Sequence, residues 1–315
     1  MIHLNYDIVI CVGEQHLDIV QTSILYIKKY LTPQKIIVIT NKKHFHRFDN
    51  LTKNLNNLLF VDENTLNPYI TFNTIAEIIE KKTASTDRTG WYFQQFLKME
   101  ICKIVSSDHY LIWDADTIPL SHIYFFEKAM SKVLVQPSNE YHIPYFNTLK
   151  KILNIEKSCT NSFISEHFMV SKEIMLSLIK KLEGRNNTLH WSQYILSQID
   201  IKDLLLSGFS EYETYGNYIL QYFPDTIKIR SAKNKLKSYR FGAELFGSLP
   251  TRTSLFFLKK SGYHYVTFEV WNKGSLKQIR KNEALAKLFL LLNNSILFSW
   301  MGFFIRRKIS RQIKT

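Results

Sequence analysis

The chain has 315 residues, 45% of them hydrophobic and 22% charged, so it can bury a core and is not a disordered polyampholyte. Three cysteines without a Cys-x-x-Cys pair exclude a disulfide scaffold and a cysteine-based zinc site, and they suit a reducing compartment. Lys and Arg outnumber Asp and Glu by 41 to 27, which indicates an anionic partner such as nucleic acid, a phospholipid surface or a phosphorylated substrate. The opening residues have the pattern of a strand and lack that of a signal peptide, so we expect a cytoplasmic protein.

Short apolar runs alternate with helical patterns in the first half of the chain. We predict strands over 6–12, 35–40, 58–61 and 109–113, and helices over 15–30 and 91–105. This alternation is typical of an α/β fold with a mostly parallel sheet and flanking helices. Ligands of such sheets gather at the carboxyl edge of the strands.

Several polar residues are predicted to lie at that carboxyl edge. The loops after the first two strands should open onto it, which makes Cys11, Gly13 and Asn41 candidates for binding a nucleotide cofactor or donor. The helix over 91–105 and the strand after it return the chain to the same edge. Residues at the helix start should therefore lie near Asp114, at the strand end.

The segment YLIWDADTIPL (110–120) carries the sharpest motif. A fully apolar strand ends in Asp114 and Asp116, and residues i and i+2 of a strand share a face. Two carboxylates at the end of a buried strand repel each other unless a cation or a donor lies between them. Their hard oxygen ligands suit Mg²⁺ or Mn²⁺, whereas the alternative is a solvated acidic pair that begins a loop.

The segment DRTGWYFQQFLKM (87–99) is the second candidate. Helical spacing puts Trp91, Gln95 and Lys98 on one stripe, and Arg88 adds a planar anion-binding group. Gly90 permits close backbone approach, and a helix N-terminus favours phosphate. We therefore predict a diphosphate-binding role; the alternative is an amphipathic helix with a solvated polar face.

The segment FSEYETYGNYI (209–219) places two acids among aromatic residues. A carboxylate is a common general base toward a hydroxyl group, and aromatic faces such as Tyr215 suit sugar rings. We favour Glu213 over Glu211 because Gly216 predicts a turn beside it. His142 and His167 could line a sugar pocket. The alternatives are surface acids beside a core tyrosine cluster, and structural histidines.

The motifs together resemble those of a known enzyme family. WDAD after an apolar strand resembles the DxD motif of GT-A glycosyltransferases, and GWYFQQFLKM (90–99) is similar to the preceding helix in bacterial enzymes of surface-polysaccharide synthesis. SFISEHFM (162–169) and FSEYETYGNY (209–218) resemble later motifs of that group. The resemblance covers roughly residues 5 to 225.

The resemblance implies a GT-A, Rossmann-like fold, a nucleotide-sugar donor and a divalent metal. It makes Asp116 the principal metal ligand, and it lets Asp114 contact the ribose, or the metal through water. It also makes His264 a third metal ligand, late in the chain. The acceptor-side base is expected in the segment 209–218.

These expectations combine into one predicted function. We expect a metal-dependent glycosyltransferase that moves a sugar from a nucleotide-sugar, with UDP as the favoured nucleotide, to a glycan or lipid-linked acceptor of capsule or lipopolysaccharide synthesis, inverting with Glu213 as base. One alternative is a phosphatase of the haloacid-dehalogenase type, because DADT matches its DxDxT signature and makes Asp114 the nucleophile. Another is a non-enzymatic basic binding protein; no element that reads nucleic acid is recognisable.

The predicted domain of residues 1–275 has a nucleotide-sugar half (1–120) and an acceptor half (121–275). Residues 276–315 are predicted to form a basic amphipathic tail that holds the protein on the inner face of the cell membrane. Within it, residues 285–305 are mostly apolar, but polar residues such as Asn293 and Asn294 interrupt the run, so we expect an interfacial helix rather than a span. The alternative is a C-terminal helix packed on its own domain.

Overall fold

The computed structural model describes residues 5–127, 132–157, 159–293, 304–305, 307–309 and 312. The chain divides into two compact units. The first comprises Met1–Gly13, Pro33–Asp114 and Tyr124–Lys235, and the second comprises Glu14–Thr32, Ala115–Ile123 and Leu236–Thr315.

The strands are, in chain order, β1 (Tyr6–Cys11), β2 (Ile36–Thr40), β3 (Leu58–Asp62), β4 (His109–Trp113), β5 (Thr117–Pro119), β6 (Val133–Val135), β7 (His167–Ser171), β8 (Ile227–Ile229), β9 (Ser238–Tyr239) and β10 (Tyr265–Thr267). The α-helices are α1 (Ile19–Tyr30), α2 (Asp49–Thr52), α3 (Phe72–Thr83), α4 (Thr89–Glu100), α5 (Ile143–Leu153), α6 (Lys172–Glu183), α7 (Trp191–Gln198), α8 (Ile201–Leu204), α9 (Glu211–Tyr222), α10 (Gly242–Phe246), α11 (Arg252–Lys260) and α12 (Leu276–Asn293).

The first unit is built on a five-stranded sheet in the order β3-β2-β1-β4-β7. The first four of these strands are parallel, and β7 runs antiparallel to β4. β1 and β2 are buried along their whole length, as expected for apolar, β-branched strands covered on both faces. The predicted α/β class with a mostly parallel sheet is confirmed, and so are the four predicted strands.

Three predicted helical features differ from the structure. The helix predicted over 15–30 begins at Ile19, after a 3₁₀ helix over Glu14–His16. α4 ends at Glu100 and continues as a 3₁₀ helix over Ile101–Lys103, so the helix predicted to 105 is shorter. The turn predicted at Gly216 is wrong, because this glycine lies inside α9. A side chain there has no room: a Cβ atom would lie 2.3 Å from the ring of Phe163. Gly216 therefore serves close packing between α9 and Phe163.

The second unit has a sheet in the order β5-β10-β9 and a core shared by α1, α10, α11 and α12. Ala286 and Phe289 of α12 are buried in that core, so this helix packs on the second unit. The rest of the predicted interfacial segment, 294–303, lies outside the described residues. Among the described helices, none is both long enough and apolar enough to cross a bilayer.

Candidate functional site

Asp114 lies at the carboxyl end of β4, with its side chain 28% exposed. Its backbone N–H donates to the carbonyl oxygen of Glu166 at 3.0 Å, at the start of β7. Glu166 has a φ of 59°, in the left-handed region that a non-glycine residue occupies at a cost of about 1–3 kcal/mol. The hydrogen bond to Glu166 holds the backbone from which the Asp114 side chain projects.

A buried lysine from α4 contacts this carboxylate. The Nζ atom of Lys98 lies 2.9 Å from Oδ1 of Asp114 and 2.9 Å from Oε1 of Glu211, at the start of α9. The hydroxyl of Tyr212 donates to Oδ1 of Asp114 at 3.3 Å, and the ammonium lies 4.8 Å from the centre of the Tyr212 ring. We call these four residues, Lys98, Asp114, Glu211 and Tyr212, the Lys98 cluster.

The electrostatics of the Lys98 cluster follow from its burial. Burial lowers the pKa of Lys98, but Asp114 and Glu211 outweigh that effect and raise the pKa well above its usual value. Burial raises the pKa of Glu211 against the opposing attraction of Lys98. One ammonium and two carboxylates leave one excess negative charge when all are ionised. Only Asp114 of the two carboxylates has exposed surface to offer a ligand.

The remaining polar residues of α4 hold the chain that leads into α9. Gln95 accepts a hydrogen bond from the backbone N–H of Glu211 at 3.4 Å. Trp91 donates to the carbonyl of Phe209 at 3.1 Å, and Arg88 donates to that of Leu205 at 3.4 Å. The predicted diphosphate-binding stripe therefore contacts the loop over 205–211 in this structure, and among its members it is Lys98 that reaches Asp114.

Glu213 lies two residues after Glu211 in different surroundings. Its Oε1 accepts from the hydroxyl of Ser162 at 2.5 Å and from the backbone N–H of Phe163 at 3.1 Å, and its Oε2 accepts from Asn217 at 3.2 Å. We call Glu213, Ser162, Phe163 and Asn217 the Glu213 network. Burial raises the pKa of Glu213, while these hydrogen bonds oppose the rise. The carboxylate thus joins α9 to the segment 162–163.

Three predicted sugar-binding residues have partners inside the protein. The Tyr215 hydroxyl is buried and accepts from the backbone N–H of Ser171 at 2.9 Å. His167 is buried in the sheet, and burial lowers its pKa to about 3, so the imidazole is neutral. His142 donates from Nε2 to the carbonyl of Leu206 at 2.8 Å.

The predicted residues at the ends of β1 and β2 are placed as expected, but their contacts differ from one another. Asn41 caps the 3₁₀ helix Lys42–Phe48 by accepting from the backbone N–H of Lys43 at 3.1 Å. Gly13 is exposed. Cys11 is buried, which raises the pKa of its thiol to about 12, and the charges of the Lys98 cluster act on it. Cys11 is therefore an uncharged neighbour of that cluster.

The predicted metal ligands fall into different units, with Asp114 in the first and Asp116 and His264 in the second. Nδ1 of His264 accepts from the backbone N–H of Lys237 at 2.9 Å. Within the described ranges, no three His, Cys, Asp or Glu side chains are grouped to hold a metal ion. Asp116 does have an imidazole nearby, since its Oδ2 lies 3.8 Å from Nε2 of His16. One carboxylate and one imidazole fit a metal that takes its other ligands from a substrate diphosphate and water.

The structure adds three residues that the sequence did not single out: Tyr212, Glu166 and His16. Tyr212 lies within a predicted motif, and its position between two acids could have identified it as a site residue. The carbonyl of Glu166 reaches Asp114 through the antiparallel pairing of β7, which no local pattern predicts. His16 lies in the loop after β1 that was expected at the carboxyl edge, so its position in that loop was a usable signal.

Comparison with known proteins gives a family and several structural likenesses. A model of a family of unknown function, DUF6492, matches residues 9–276. The search of curated proteins found no match. Mouse xyloside xylosyltransferase 1 in its apo form is similar at 12% identity and a TM-score of 0.42, with 87% of this chain and 99% of that chain covered.

Two further solved structures show the same level of likeness. The galactosyltransferase LgtC in complex with donor and acceptor sugar analogues has 8% identity and a TM-score of 0.44, covering 90% of this chain and 95% of that one. The glycosyltransferase GlyE of Streptococcus pneumoniae TIGR4 has 10% identity and a TM-score of 0.42, covering 99% of this chain and 65% of that one.

Proposed function

The chain belongs to DUF6492, a family of unknown function, and we propose that it is a glycosyltransferase with a nucleotide-sugar donor. One observation carries the proposal: the four motifs that resemble GT-A glycosyltransferases meet around Asp114. Lys98 comes from the motif over 90–99 and Glu211 from that over 209–218, and both reach the DxD strand. The motif over 162–169 contributes the carbonyl of Glu166. Residues more than 100 positions apart thus form one charged cluster at the end of β4.

The chemistry of the Lys98 cluster suits a ligand rich in hydroxyl groups. Asp114 is partly exposed and belongs to a cluster with more carboxylates than ammonium groups, so it can accept hydrogen bonds from donor hydroxyls. Lys98 and Tyr212 hold this carboxylate in one orientation before substrate arrives. Fixed charges in a buried environment stabilise charge that develops during reaction more strongly than solvent does. We therefore assign donor binding to Asp114 and the orientation of Asp114 to Lys98 and Tyr212.

The predicted base, Glu213, is given a positioning role in this proposal. A base must come within about 3 Å of the acceptor hydroxyl, whereas both oxygens of Glu213 already accept hydrogen bonds from buried protein groups. Glu213 holds the segment 162–163, and that segment leads to Glu166. Inversion, as predicted from the sequence, stays a proposal that NMR of the product anomer decides.

A divalent cation, Mn²⁺ or Mg²⁺, completes the proposed activity, with Asp116 as its ligand. When bound, such an ion neutralises the departing diphosphate as a Lewis acid. Activity that is lost with EDTA and restored by the added cation would support this part of the proposal. Activity that is unaffected by EDTA would refute the proposed metal dependence but not the proposed transferase activity.

The proposed acceptor is a glycan or lipid-linked sugar at an anionic membrane surface, and charge supports this choice. The second unit has 17 Lys and Arg against six Asp and Glu, whereas the first has 24 against 21. The exposed residues of α12 include Lys277, Lys281 and Leu291, which lie on one face of the helix. Exposed basic residues attract the headgroups of anionic lipids, at about 1 kcal/mol for each Lys or Arg near the surface.

Membrane association is tested by sedimentation with vesicles. We expect the chain to bind vesicles that contain phosphatidylglycerol and not pure phosphatidylcholine, and the double variant Lys277→Glu/Lys281→Glu to bind less. Equal binding of the variant, or no binding by the wild type, would refute the proposed membrane association. Neither result would bear on the proposed transferase activity.

The transferase is tested by incubating the chain with a panel of nucleotide-sugars and measuring nucleotide release and sugar transfer by chromatography. We expect one donor to be consumed, and Asp114→Asn to reduce its consumption by on the order of 10²-fold or more. Asp225→Asn is the matched control, because that side chain is fully exposed. A phosphoryl group trapped on Asp114 from a simple phosphate ester, with no donor consumed, would instead establish the phosphatase.

A further inference from the structure

We infer that His16 and Asp116 together form a two-donor site selective for divalent transition metals. His16 ends the 3₁₀ helix Glu14–His16 in the loop after β1, and its Nε2 lies 3.8 Å from Oδ2 of Asp116. The two side chains are 13% and 9% exposed. Both residues belong to the second unit. The inference deepens the proposed function and rests on it, because a substrate diphosphate would supply the remaining ligands.

The separation of the two donor atoms fits a shared ion. Metal–nitrogen and metal–oxygen bonds of about 2.0–2.2 Å place two adjacent ligands roughly 3.0 Å apart in an octahedron and 3.4 Å apart in a tetrahedron. From the observed 3.8 Å, the two atoms need to approach by less than about 1 Å to reach either geometry. A rotation of one side chain supplies a movement of that size.

The backbone that carries Asp116 is firmly held. The carbonyl of Asp116 accepts from the backbone N–H of Phe268 at 2.9 Å. The next residue, Thr117, is bonded on two sides, by the Thr267 hydroxyl at 2.8 Å and by the Ser23 hydroxyl at 2.6 Å. Ser23 lies in α1, which begins three residues after His16. The element that follows His16 is thereby tied to the strand that follows Asp116, so both donors are held in register.

The imidazole determines which cation the site prefers. Mg²⁺ and Ca²⁺ favour oxygen ligands, while an imidazole nitrogen favours Mn²⁺, Co²⁺ and Zn²⁺ in rising order of affinity for nitrogen donors. His264, the histidine expected at the metal from the sequence, already accepts a backbone hydrogen bond at Nδ1. His16 therefore replaces His264 as the nitrogen ligand, and it makes the site prefer Mn²⁺ over Mg²⁺.

The test measures cation binding to the full chain by calorimetry, with and without UDP. We expect Mn²⁺ to bind on the order of tenfold or more tightly than Mg²⁺, and His16→Ala to lose that preference by weakening Mn²⁺ alone. His16→Asp, which makes the donor set all oxygen, should shift the preference toward Mg²⁺. His264→Ala is the matched control and should leave both affinities unchanged. Thermal unfolding of each variant checks that the fold is retained.

Pulsed electron paramagnetic resonance gives a readout that does not depend on activity. Bound Mn²⁺ should show coupling to an imidazole nitrogen, and the coupling should vanish in His16→Ala and persist in His264→Ala. If Mn²⁺ binding depends on Asp116 but shows no nitrogen coupling, His16 is only an ion-pair partner and the inference fails while the transferase stands. Absence of any Mn²⁺ binding overturns the inference as well. Failure to consume any nucleotide-sugar, in contrast, refutes the proposed function whatever the metal does.

Discussion

Two carboxylates at the start of α9 have opposite surroundings. Glu211 is buried against the ammonium of Lys98, which it shares with the partly exposed Asp114. Glu213, two residues later, is buried among neutral donors: a hydroxyl, a backbone N–H and a side-chain amide. The Lys98 cluster thus combines charge with a route to solvent, whereas the Glu213 network is closed on itself.

The difference shows that burial and a raised pKa do not by themselves identify a reacting carboxylate. Burial raises the pKa of both acids. What separates them is the partner: removing a charged partner leaves an uncompensated buried charge, while the loss of one neutral donor among several costs less. The Lys98 cluster should therefore be sensitive to charge, and the Glu213 network to shape.

The largest effect is expected from removing the shared cation. Lys98→Met leaves Asp114 and Glu211 without their counter-charge, which should cost about 3–5 kcal/mol of unfolding free energy and abolish donor consumption. Urea unfolding measures the loss. Adding Glu211→Leu to this variant should restore part of the stability but not the activity. Unchanged stability of Lys98→Met would show that the cluster is not energetically coupled.

The next prediction compares the two acids directly through the same substitution. Glu211→Gln should reduce kcat by on the order of 10²-fold, because it changes the charge that orients Lys98 and Asp114. Glu213→Gln should change kcat by less than about tenfold, because an amide preserves the accepting oxygen and the shape. A folded Glu213→Gln enzyme with the larger loss would reverse the assignment and make Glu213 the base.

A pH dependence of stability separates the two regions further. Folding raises the pKa of Glu213 above its ordinary value of 4.5, so the folded state keeps a proton that the unfolded state loses. Wild-type stability should therefore fall, relative to Glu213→Gln, as the pH rises from about 4.5 through the raised pKa, and then level off. Thermal unfolding of both proteins between pH 4 and 8 measures this, and a constant difference would contradict it.

The smallest effects come from two glycines that test shape. Gly216→Ala drives a methyl group into the ring of Phe163 and should cost about 1–3 kcal/mol. Gly90→Ala in α4 is the matched control: no atom lies within 4 Å of the added Cβ, so the helix should gain about 0.5–1 kcal/mol. Chemical unfolding compares them. A destabilised Gly90→Ala would contradict the packing described for α4.

Local patterns predict the parallel strands well, because β1, β2 and β4 are apolar runs buried in full or nearly so. Topology alone then predicts that Asp114 lies at a carboxyl edge near the loops after β1 and β2. The sequence also places Lys98 on the correct face of a helix, although its partner was expected to be a diphosphate. These features depend on short stretches of chain and on the rules of βαβ connection.

The rest depends on contacts between distant segments. The hydrogen bond between Asp114 and Glu166 depends on the antiparallel pairing of β7 with β4, more than fifty residues earlier. The turn expected at Gly216 is absent because this glycine packs against the ring of Phe163, a residue distant in the sequence. The apolar run over 285–305 predicted an interfacial tail, and no local pattern predicts that Ala286 and Phe289 pack in the second unit's core. Periodicity marks an apolar face but does not say what covers it.

We propose that the Lys98 cluster binds the donor through Asp114. Calorimetry with the nucleotide-sugar that the wild type consumes tests it most directly, with Asp114→Asn and the exposed control Asp225→Asn measured alongside. We expect a loss of affinity on the order of tenfold or more in Asp114→Asn and wild-type affinity in the control. Equal affinity of all three proteins, with Asp114→Asn still folded, would contradict it.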